Sequence, residues 1–235
     1  MAVAKKHPPT PAYQTASHPV QISMRSEMQR KMIHLSSISI PLAYIWLSRS
    51  TMLSILVPIL VLGFIIEFLR WNTPAVERFI RKLFGQMLRE HEKEGERKIS
   101  GATYVILSAT ICVLIFPKVV TVAGFAVLIV SDTASALFGR RFGRHRFLEK
   151  SVEGSSAFVV TAILVVLAVA GVYEAPWEFI AVGVVASIAA AIAEAMSYGV
   201  NIDDNLTIPV AFGLVMWGLL HLIGGTEIER LLAIG

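Results

Sequence analysis

The sequence predicts an all-α polytopic membrane protein of about seven transmembrane helices, and three observations lead to that fold class. Hydrophobic residues make up 55% of the 235 residues, and the mean hydropathy is +0.66. Charged side chains are only 16% of the chain, well below the roughly 25% of a soluble domain. Apolar runs close to the ~20 residues that cross a bilayer recur along the chain, and the polar stretches between them are too short for a soluble domain.

The chain is predicted to form a short tail and one domain. Residues 1–22 contain four prolines and no apolar core of a secretory signal, so we expect a disordered cytoplasmic tail. Residues 23–235 are expected to form a single transmembrane domain. The seven predicted spans cover residues 33–47, 51–71, 101–116, 119–138, 154–172, 177–198 and 206–223.

An amphipathic helix is predicted directly after the second span. Thr73 offers an N-cap, and Pro74 suits the first helical position. Apolar side chains then recur at helical spacing as far as Leu88, with arginines and lysines between them. This pattern is typical of a helix that lies in the cytoplasmic membrane interface, with its cations among the lipid headgroups.

The basic residues predict the orientation of the chain. Of the 21 Lys and Arg residues, only Arg49, Lys118 and Arg230 fall on one side of the predicted spans. Cytoplasmic loops carry the excess of Lys and Arg, so we expect the N-terminus inside and the C-terminus outside. In a prokaryote this orientation predicts a cell-membrane protein whose site faces the cytoplasm. The net charge of +4 is explained by this topology, so nucleic acid is not an expected partner.

Glu67, Asp132 and Glu194 lie inside predicted apolar spans. A carboxylate costs roughly 2.5 to 3.5 kcal/mol at the centre of a membrane helix, so each of the three should have a partner or a task. At ~1.5 Å per residue all three lie about 5 to 10 Å inside the cytoplasmic boundary, at the depth of a lipid headgroup. The pattern favours a functional role for Asp132 and Glu194. For Glu67 a functional role and a purely structural ion pair are both open.

A segment rich in glycine and arginine follows Asp132, and it predicts a polyphosphate site. Backbone N–H groups and guanidinium forks are good phosphate donors, although a basic loop that only fixes topology would also explain the charge. The usual GxxxxGK[ST] and GxGxxG nucleotide motifs are absent. The candidate phosphate ligands here are Gly139, Arg140, Arg141, Gly143, Lys150, Ser151, Glu153 and Gly154.

Two further clusters flank the predicted spans on the same side. Arg30, Lys31 and His34 precede the first span, where they could bind phosphate or only set the orientation. Asp203, Asp204 and Asn205 precede the seventh span, beneath Glu194 and Ser197. Such oxygen-rich groups suit Mg²⁺ bound together with phosphates, and they equally suit a turn and a helix N-cap.

These motifs, in this order, resemble the CTP-dependent lipid kinases, the family that includes dolichol, phytol and farnesol kinases and the yeast-type diacylglycerol kinase. The resemblance runs from about Arg30 to Pro209. It is carried by the segments Arg30-Lys31 with His34, Ser100-Gly101-Ala102-Thr103-Tyr104, Ser131-Asp132-Thr133-Ala134, Gly139-Arg140-Arg141-Phe142-Gly143, Lys150-Ser151-Val152-Glu153-Gly154, Glu194 with Ser197, and Asp204-Asn205-Leu206-Thr207-Ile208-Pro209.

The resemblance implies CTP as phosphoryl donor, Mg²⁺ or another divalent metal, and a long-chain isoprenoid alcohol or diacylglycerol as acceptor. It places Asp132, Lys31 and Arg30 in the catalytic centre. Two further sets of residues follow from their positions in these motifs. The implied metal ligands are Asp132, Glu194, Asp203 and Asp204, and Asn205 joins the implied nucleotide and phosphate ligands. The possible substrate contacts are His34, Glu67, Thr103, Tyr104 and Ser197.

Two other functions remain open at this point. A cytidylyltransferase that acts on a lipid phosphate also uses CTP, membrane carboxylates and Mg²⁺. A transporter would also contain buried carboxylates, but those are expected near the bilayer midplane, and no convincing internal repeat is present.

Overall fold

The computed structural model of the protein describes residues 31–84, 99–197, 199 and 202–234. Nearly all of this part is helical. Its elements are, in chain order, α1 (Ser39–Trp46), α2 (Arg49–Asn72), α3 (Pro74–Phe84), α4 (Gly101–Ile115), α5 (Lys118–Phe142), β1 (Arg146–Phe147), β2 (Lys150–Ser151), α6 (Val152–Val172), α7 (Trp177–Met196), α8 (Asp204–Ile223) and α9 (Thr226–Leu232). Residues 31–36 are also helical. The predicted tail, Arg30, the amphipathic pattern beyond residue 84 and the end of the sixth span at Tyr198 lie outside the described residues.

Within the described residues, five helices are long and apolar enough to cross a membrane, which makes the chain an integral membrane protein by length and composition. They are α2, α5, α6, α7 and α8. The predicted count of seven is therefore not confirmed. The two remaining predicted spans correspond to α4, which is apolar but has only 15 residues, and to the segment before α2.

The segment before α2 is divided by a turn at residues 37–38. Pro41 has no N–H to donate to the carbonyl of Ser37, and its ring would collide with that carbonyl in a continuous helix. The chain instead forms a tight turn in which the N–H of Ile40 donates to the Ser37 carbonyl at 2.9 Å. α1 therefore starts as a separate helix of eight residues.

α5 is the central helix of the bundle. Buried residues run along most of its length, and α1, α4, α6, α8 and α9 all pack against it. α2 lies at the edge, packs mainly on α4 and exposes large apolar side chains such as Ile59, Leu62 and Phe68. An exposed apolar face on a helix of 24 residues is what a lipid-facing helix requires.

The amphipathic helix begins at Pro74, as predicted, and forms α3. Phe79 is exposed, and so are the cationic side chains of Arg78 and Lys82. The placement of α3 in the membrane interface stays a prediction.

A small antiparallel hairpin between α5 and α6 was not predicted. Arg146 pairs with Ser151, and Phe147 pairs with Lys150. The hairpin reverses the chain, so that the end of α5 and the start of α6 lie side by side. It also brings Lys150 back over the bundle, which positions the candidate site.

Candidate functional site

Asp132 forms a buried ion pair with Lys31. Lys31 Nζ lies 2.5 Å from Asp132 Oδ2 and also donates to the Asp132 backbone carbonyl at 3.3 Å. His34, one turn after Lys31, places Nε2 3.6 Å from the same carboxylate oxygen. The side chains of Lys31 and Asp132 are only 6% and 5% exposed. The helical segment that precedes α1 therefore supplies the cation that compensates the buried charge of α5.

Glu194 forms a second ion pair with Lys150. Lys150 Nζ donates to Glu194 Oε1 at 2.7 Å, and the Glu194 side chain is completely buried. The hairpin is attached to α7 at the same point, because the N–H of Glu149 donates to the carbonyl of Ala195 at 3.3 Å. The hairpin thus carries a cation to a carboxylate that the sequence places 44 residues away.

The two ion pairs are electrostatically connected. Burial by itself would lower the pKa of Lys150, but the carboxylates of Glu194, Asp204 and Asp132 outweigh burial and raise that pKa above its ordinary value. Asp204 also interacts electrostatically with Asp132 and His34. The charges therefore form one group, which we call the charged cluster: Lys31, His34, Asp132, Lys150, Glu194 and Asp204.

Two carboxylate oxygens of the charged cluster could act as ligands of a divalent cation. Asp132 Oδ1 and Glu194 Oε2 are buried and have no hydrogen-bond partner among the described residues. Within that part of the chain, no three His, Cys, Asp or Glu side chains are grouped to hold a metal alone. Mg²⁺ is usually held by one or two carboxylates together with substrate phosphates and water, so the residues present fit a cation that arrives with a nucleotide.

Asp203 is the N-cap of α8. Its Oδ1 accepts from the backbone N–H of Asn205 at 3.0 Å and from the Asn205 side-chain amide at 2.6 Å. Of the two roles that the sequence left open, the structure shows the cap. The amide of Asn205 also lies near Gly101, so the first turns of α4 and α8 meet at the same end of the bundle as the charged cluster. Metal ligation by Asp203 and Asp204 and phosphate binding by Asn205 stay predictions.

The three glycines of the predicted phosphate segment have a packing role. A Cβ atom on Gly154 would lie 3.0 Å from the carbonyl oxygen of Ser135 and 3.2 Å from Cα of Gly139. The N–H of Gly143 donates to the Gly139 carbonyl, and the N–H of Gly154 donates to Ser151 Oγ, which caps α6. The glycines therefore let α5 and α6 approach closely. Phosphate binding by these residues stays a prediction.

The remaining polar residues of this segment lie at the rim. Glu153 accepts from the backbone N–H groups of Arg144 and His145 at 3.1 and 3.3 Å, and it pairs with the His145 ring at 2.8 Å. It therefore braces the turn that leaves α5. Arg140 is half-buried and Arg141 is exposed, one turn beyond the buried part of α5. Both arginines are placed where a solvent-borne anion could reach them.

Glu67 has a structural role in a separate network. Its Oε2 lies 2.6 Å from Nη2 of Arg70, and its Oε1 accepts from the backbone N–H of Ser100 at 2.8 Å and from the Thr103 hydroxyl at 3.1 Å. These contacts join the end of α2 to the start of α4. The neighbouring Tyr104 is half-buried. The structural alternative for Glu67 is therefore observed, and the substrate contacts of Glu67, Thr103 and Tyr104 stay predictions.

Ser197 lies next to the charged cluster, where its hydroxyl donates to the carbonyl of Glu194 at 2.9 Å. Ser135 is a buried neighbour of Glu194 that the sequence reasoning did not select, and its hydroxyl makes no hydrogen bond among the described residues. Ser135 follows Asp132 by three residues, which puts both side chains on one face of α5. This spacing is the sequence signal that could have identified Ser135 as a site neighbour. The predicted catalytic residue Arg30 lies outside the described part of the chain.

Comparison with known proteins identifies relatives of moderate similarity. No protein-family model matches the chain, and no solved structure matches it. An uncharacterised protein of Rickettsia prowazekii is 28% identical over 188 residues, which cover 80% of this chain and 92% of that protein. The CTP-dependent diacylglycerol kinase 1 of Schizosaccharomyces pombe is 26% identical over 69% of this chain and 80% of its own length. The CTP-dependent diacylglycerol kinase 1 of Saccharomyces cerevisiae is 24% identical over 82% and 73%. The chain is thus similar, over most of its length, to the CTP-dependent diacylglycerol kinases of two yeasts.

Proposed function

We propose that this protein is an integral membrane kinase that transfers the terminal phosphate of CTP to the hydroxyl group of a lipid alcohol. Diacylglycerol is the acceptor that we put first, because two relatives that match most of the chain carry that activity in their names. The isoprenoid alcohols predicted from the sequence motifs are the second candidate acceptors.

The observation that carries the proposal is the charged cluster, in which two lysines and three carboxylates meet at one end of an apolar helical bundle. Phosphoryl transfer requires positioning and charge neutralisation more than covalent chemistry. Ammonium groups supply that neutralisation in a buried site, where little water screens each charge. The location suits an acceptor that approaches through the apolar surface and a nucleotide that approaches from water.

In the reaction we propose, the lipid hydroxyl oxygen attacks the terminal phosphorus of CTP in line. A new oxygen–phosphorus bond forms, and the bond from that phosphorus to the bridging oxygen breaks, so that CDP leaves with the electron pair. The proton of the hydroxyl passes to Asp132, whose Oδ1 has no other partner among the described residues. Lys31 and Lys150 bind phosphate oxygens, and Arg140 and Arg141 at the rim attract the nucleotide.

A divalent cation would be held by Glu194 together with the nucleotide phosphates, and it would neutralise charge on the transferred group. Glu194 is suited to this role because its Oε1 is bound by Lys150 while its Oε2 is without a partner in the described structure. Asp204 adds negative charge close enough to interact electrostatically with Lys150.

The test uses the purified full chain in mixed micelles with CTP labelled in its terminal phosphate. Diacylglycerol, phytol, farnesol and a polyprenol are offered separately, ATP replaces CTP in a parallel series, and lipid and nucleotide products are separated. We expect a labelled lipid phosphate and CDP, with CTP preferred to ATP. A product that contains CMP, with release of pyrophosphate, would identify a cytidylyltransferase instead. Ion flux in vesicles without nucleotide turnover would identify a transporter.

The variant Asp132→Asn tests the role of the central carboxylate. Asparagine keeps an oxygen acceptor for Lys31, but it cannot take up the proton. Loss of a general base or of one preorganised electrostatic group reduces turnover by about 10² to 10⁴-fold. The matched control is Glu149→Gln, which removes a carboxylate that is 42% exposed on the nearby hairpin. Turnover within a factor of two of the native protein in both variants would contradict the assignment.

A further inference from the structure

The charged cluster contains more negative than positive charge. Two lysines meet three carboxylates, those of Asp132, Glu194 and Asp204, so the net charge of the cluster is −1 when His34 is neutral. The side chains of Asp132 and Glu194 are only 5% and 0% exposed. Because little water screens buried charges, an anion that approaches the cluster experiences this excess of negative charge.

Both lysines of the cluster are already engaged by carboxylates. Lys31 Nζ lies 2.5 Å from Asp132 Oδ2, and Lys150 Nζ lies 2.7 Å from Glu194 Oε1. The Lys150 side chain is 28% exposed, so a phosphate group from water can reach the cluster at this lysine. There it meets the Glu194 carboxylate at short range, and like charges at such a separation repel each other. The lysines by themselves therefore do not make the site attractive to a bare triphosphate.

A divalent cation reverses this balance. Asp132 Oδ1 and Glu194 Oε2 have no partner among the described residues, so they could act as ligands while the other oxygen of each acid stays paired with its lysine. Because Mg²⁺ carries two positive charges, one such cation changes the net charge of the cluster from −1 to +1. In the described part of the chain, no three acidic, His or Cys side chains are grouped to hold a cation alone, so phosphate oxygens must complete its ligand set.

We propose that the carboxylates of the charged cluster exclude metal-free nucleotide and admit the nucleotide only as its complex with a divalent cation. This inference rests on the proposed function, because it specifies the form in which the kinase binds its phosphoryl donor. It concerns binding and is separate from any part that the carboxylates have in phosphoryl transfer. A site with a surplus of cations would do the opposite and would bind the free triphosphate more tightly, since that form carries more negative charge.

The change Glu194→Gln measures the effect of one carboxylate, because it keeps the size of the side chain and removes the charge. At an effective dielectric constant of ~20, a unit charge about 8 Å from a charged phosphate changes affinity roughly thirtyfold. Salt and the water that reaches Lys150 reduce this figure. We therefore expect an effect of about tenfold or more on the binding of metal-free nucleotide.

The experiment measures binding of labelled CTP to the purified full chain in detergent, at constant ionic strength, with Mg²⁺ or with a chelator. No lipid acceptor is added, so the readout is binding and not turnover. Chelation should weaken CTP binding to the native protein about tenfold or more. Glu194→Gln should bind metal-free CTP about tenfold more tightly than the native protein does, and chelation should affect it little. Inorganic triphosphate should follow the same pattern, because the carboxylates act on the phosphates and not on the base.

The matched control is Glu149→Gln, which removes a carboxylate that is 42% exposed on the hairpin, one residue before Lys150. It should bind CTP like the native protein in both conditions. An equal gain in Glu149→Gln and Glu194→Gln would show that only the overall charge of the protein matters, and it would overturn the proposal. If Glu194→Gln does not fold, Asp204→Asn replaces it, since Asp204 is only half-buried and its variant should show the same change of sign.

The outcomes also separate this proposal from the proposed function. Native protein that binds CTP in Mg²⁺, together with folded carboxylate variants that bind metal-free CTP no more tightly than the native protein, would overturn the exclusion of free nucleotide and leave the kinase function standing. Native protein that binds CTP equally well in Mg²⁺ and in chelator would overturn the exclusion as well. Native protein that binds no CTP in Mg²⁺ would contradict both the proposed function and this inference.

Discussion

Removal of the ammonium group of Lys150 should destabilise the protein in a way that depends on pH. In the structure this group compensates Glu194, which has a completely buried side chain. The change Lys150→Met keeps most of the side-chain length and deletes the charge. The variant therefore leaves a buried carboxylate without its cation, and the protein can respond by binding a proton at Glu194.

The cost of that proton sets the size of the effect. At pH 7, protonation of a glutamate whose ordinary pKa is ~4.3 costs about 3.7 kcal/mol, at ~1.36 kcal/mol per pH unit. At pH 5 the same step costs about 1 kcal/mol. The folded variant holds a proton that the unfolded chain releases, so its stability falls as the pH rises from 5 to 7. We expect the variant to lose about 3 to 4 kcal/mol of unfolding free energy at pH 7, and about 1 at pH 5.

The partner variant should behave differently. Glu194→Gln leaves Lys150, whose side chain is 28% exposed and still interacts with Asp204 and Asp132. Its ammonium keeps access to water and to other acids, so we expect a loss of about 1 kcal/mol. The double variant contains no uncompensated buried carboxylate. It should therefore be about 2 kcal/mol more stable than Lys150→Met alone at pH 7.

The assay is unfolding in mixed micelles at pH 5 and pH 7, followed by circular dichroism, for the native protein, both single variants and the double variant. Arg146→Met is the control, because this hairpin cation is 72% exposed and pairs loosely with Glu149 at 3.7 Å. It should change stability by less than about 0.5 kcal/mol. A double variant no more stable than Lys150→Met, or a loss in Lys150→Met that is equal at the two pH values, would refute the reasoning.

Three further predictions follow from the site and its supports. Glu67→Gln should lower the unfolding free energy by about 1 to 3 kcal/mol in the same assay, because it weakens the bonds to Arg70 and to the start of α4. Turnover per folded molecule should persist. Loss of turnover would instead indicate that Glu67 contacts the substrate. Gly154→Ala should destabilise the protein by about 1 to 3 kcal/mol, because the added methyl overlaps the Ser135 carbonyl. The control Gly171→Ala places its methyl more than 4 Å from other atoms and should be neutral or slightly stabilising. Equal thermal midpoints in the two variants would argue against tight packing of α5 on α6. Chelation of divalent cations should abolish phosphoryl transfer, added Mg²⁺ should restore it, and full activity in the chelator would exclude the role given to Glu194.

The sequence alone was sufficient to predict the helical membrane character and to locate three carboxylates, Glu67, Asp132 and Glu194, that the structure buries. Hydrophobicity is a property of each segment, so the spans that became α2, α5, α6, α7 and α8 could be located without tertiary information. The start of α3 at Pro74 was also predicted, because capping is determined by neighbouring residues. The count of seven spans was less secure, since a single proline in the first predicted span introduces a turn that hydropathy does not detect.

The pairing of charges, in contrast, was decided by the tertiary structure. Lys31 and Asp132 are 101 residues apart, and Lys150 and Glu194 are 44 apart, so no local pattern indicates which cation compensates which acid. The same limit applies to Glu67, for which the alternatives could be separated only when its contacts to Arg70 and Ser100 were visible.

The difference between what the sequence predicts and what only the tertiary structure decides has a physical reason. A carboxylate in an apolar run indicates from the sequence alone that a partner must exist, because the free-energy cost of its burial depends only on the surrounding hydrocarbon. Which partner meets it depends on helix packing and on the hairpin that returns Lys150 to α7, and these are set by contacts between distant segments. The sequence thus determined that Asp132 and Glu194 required compensation, and the tertiary structure decided that Lys31 and Lys150 provide it.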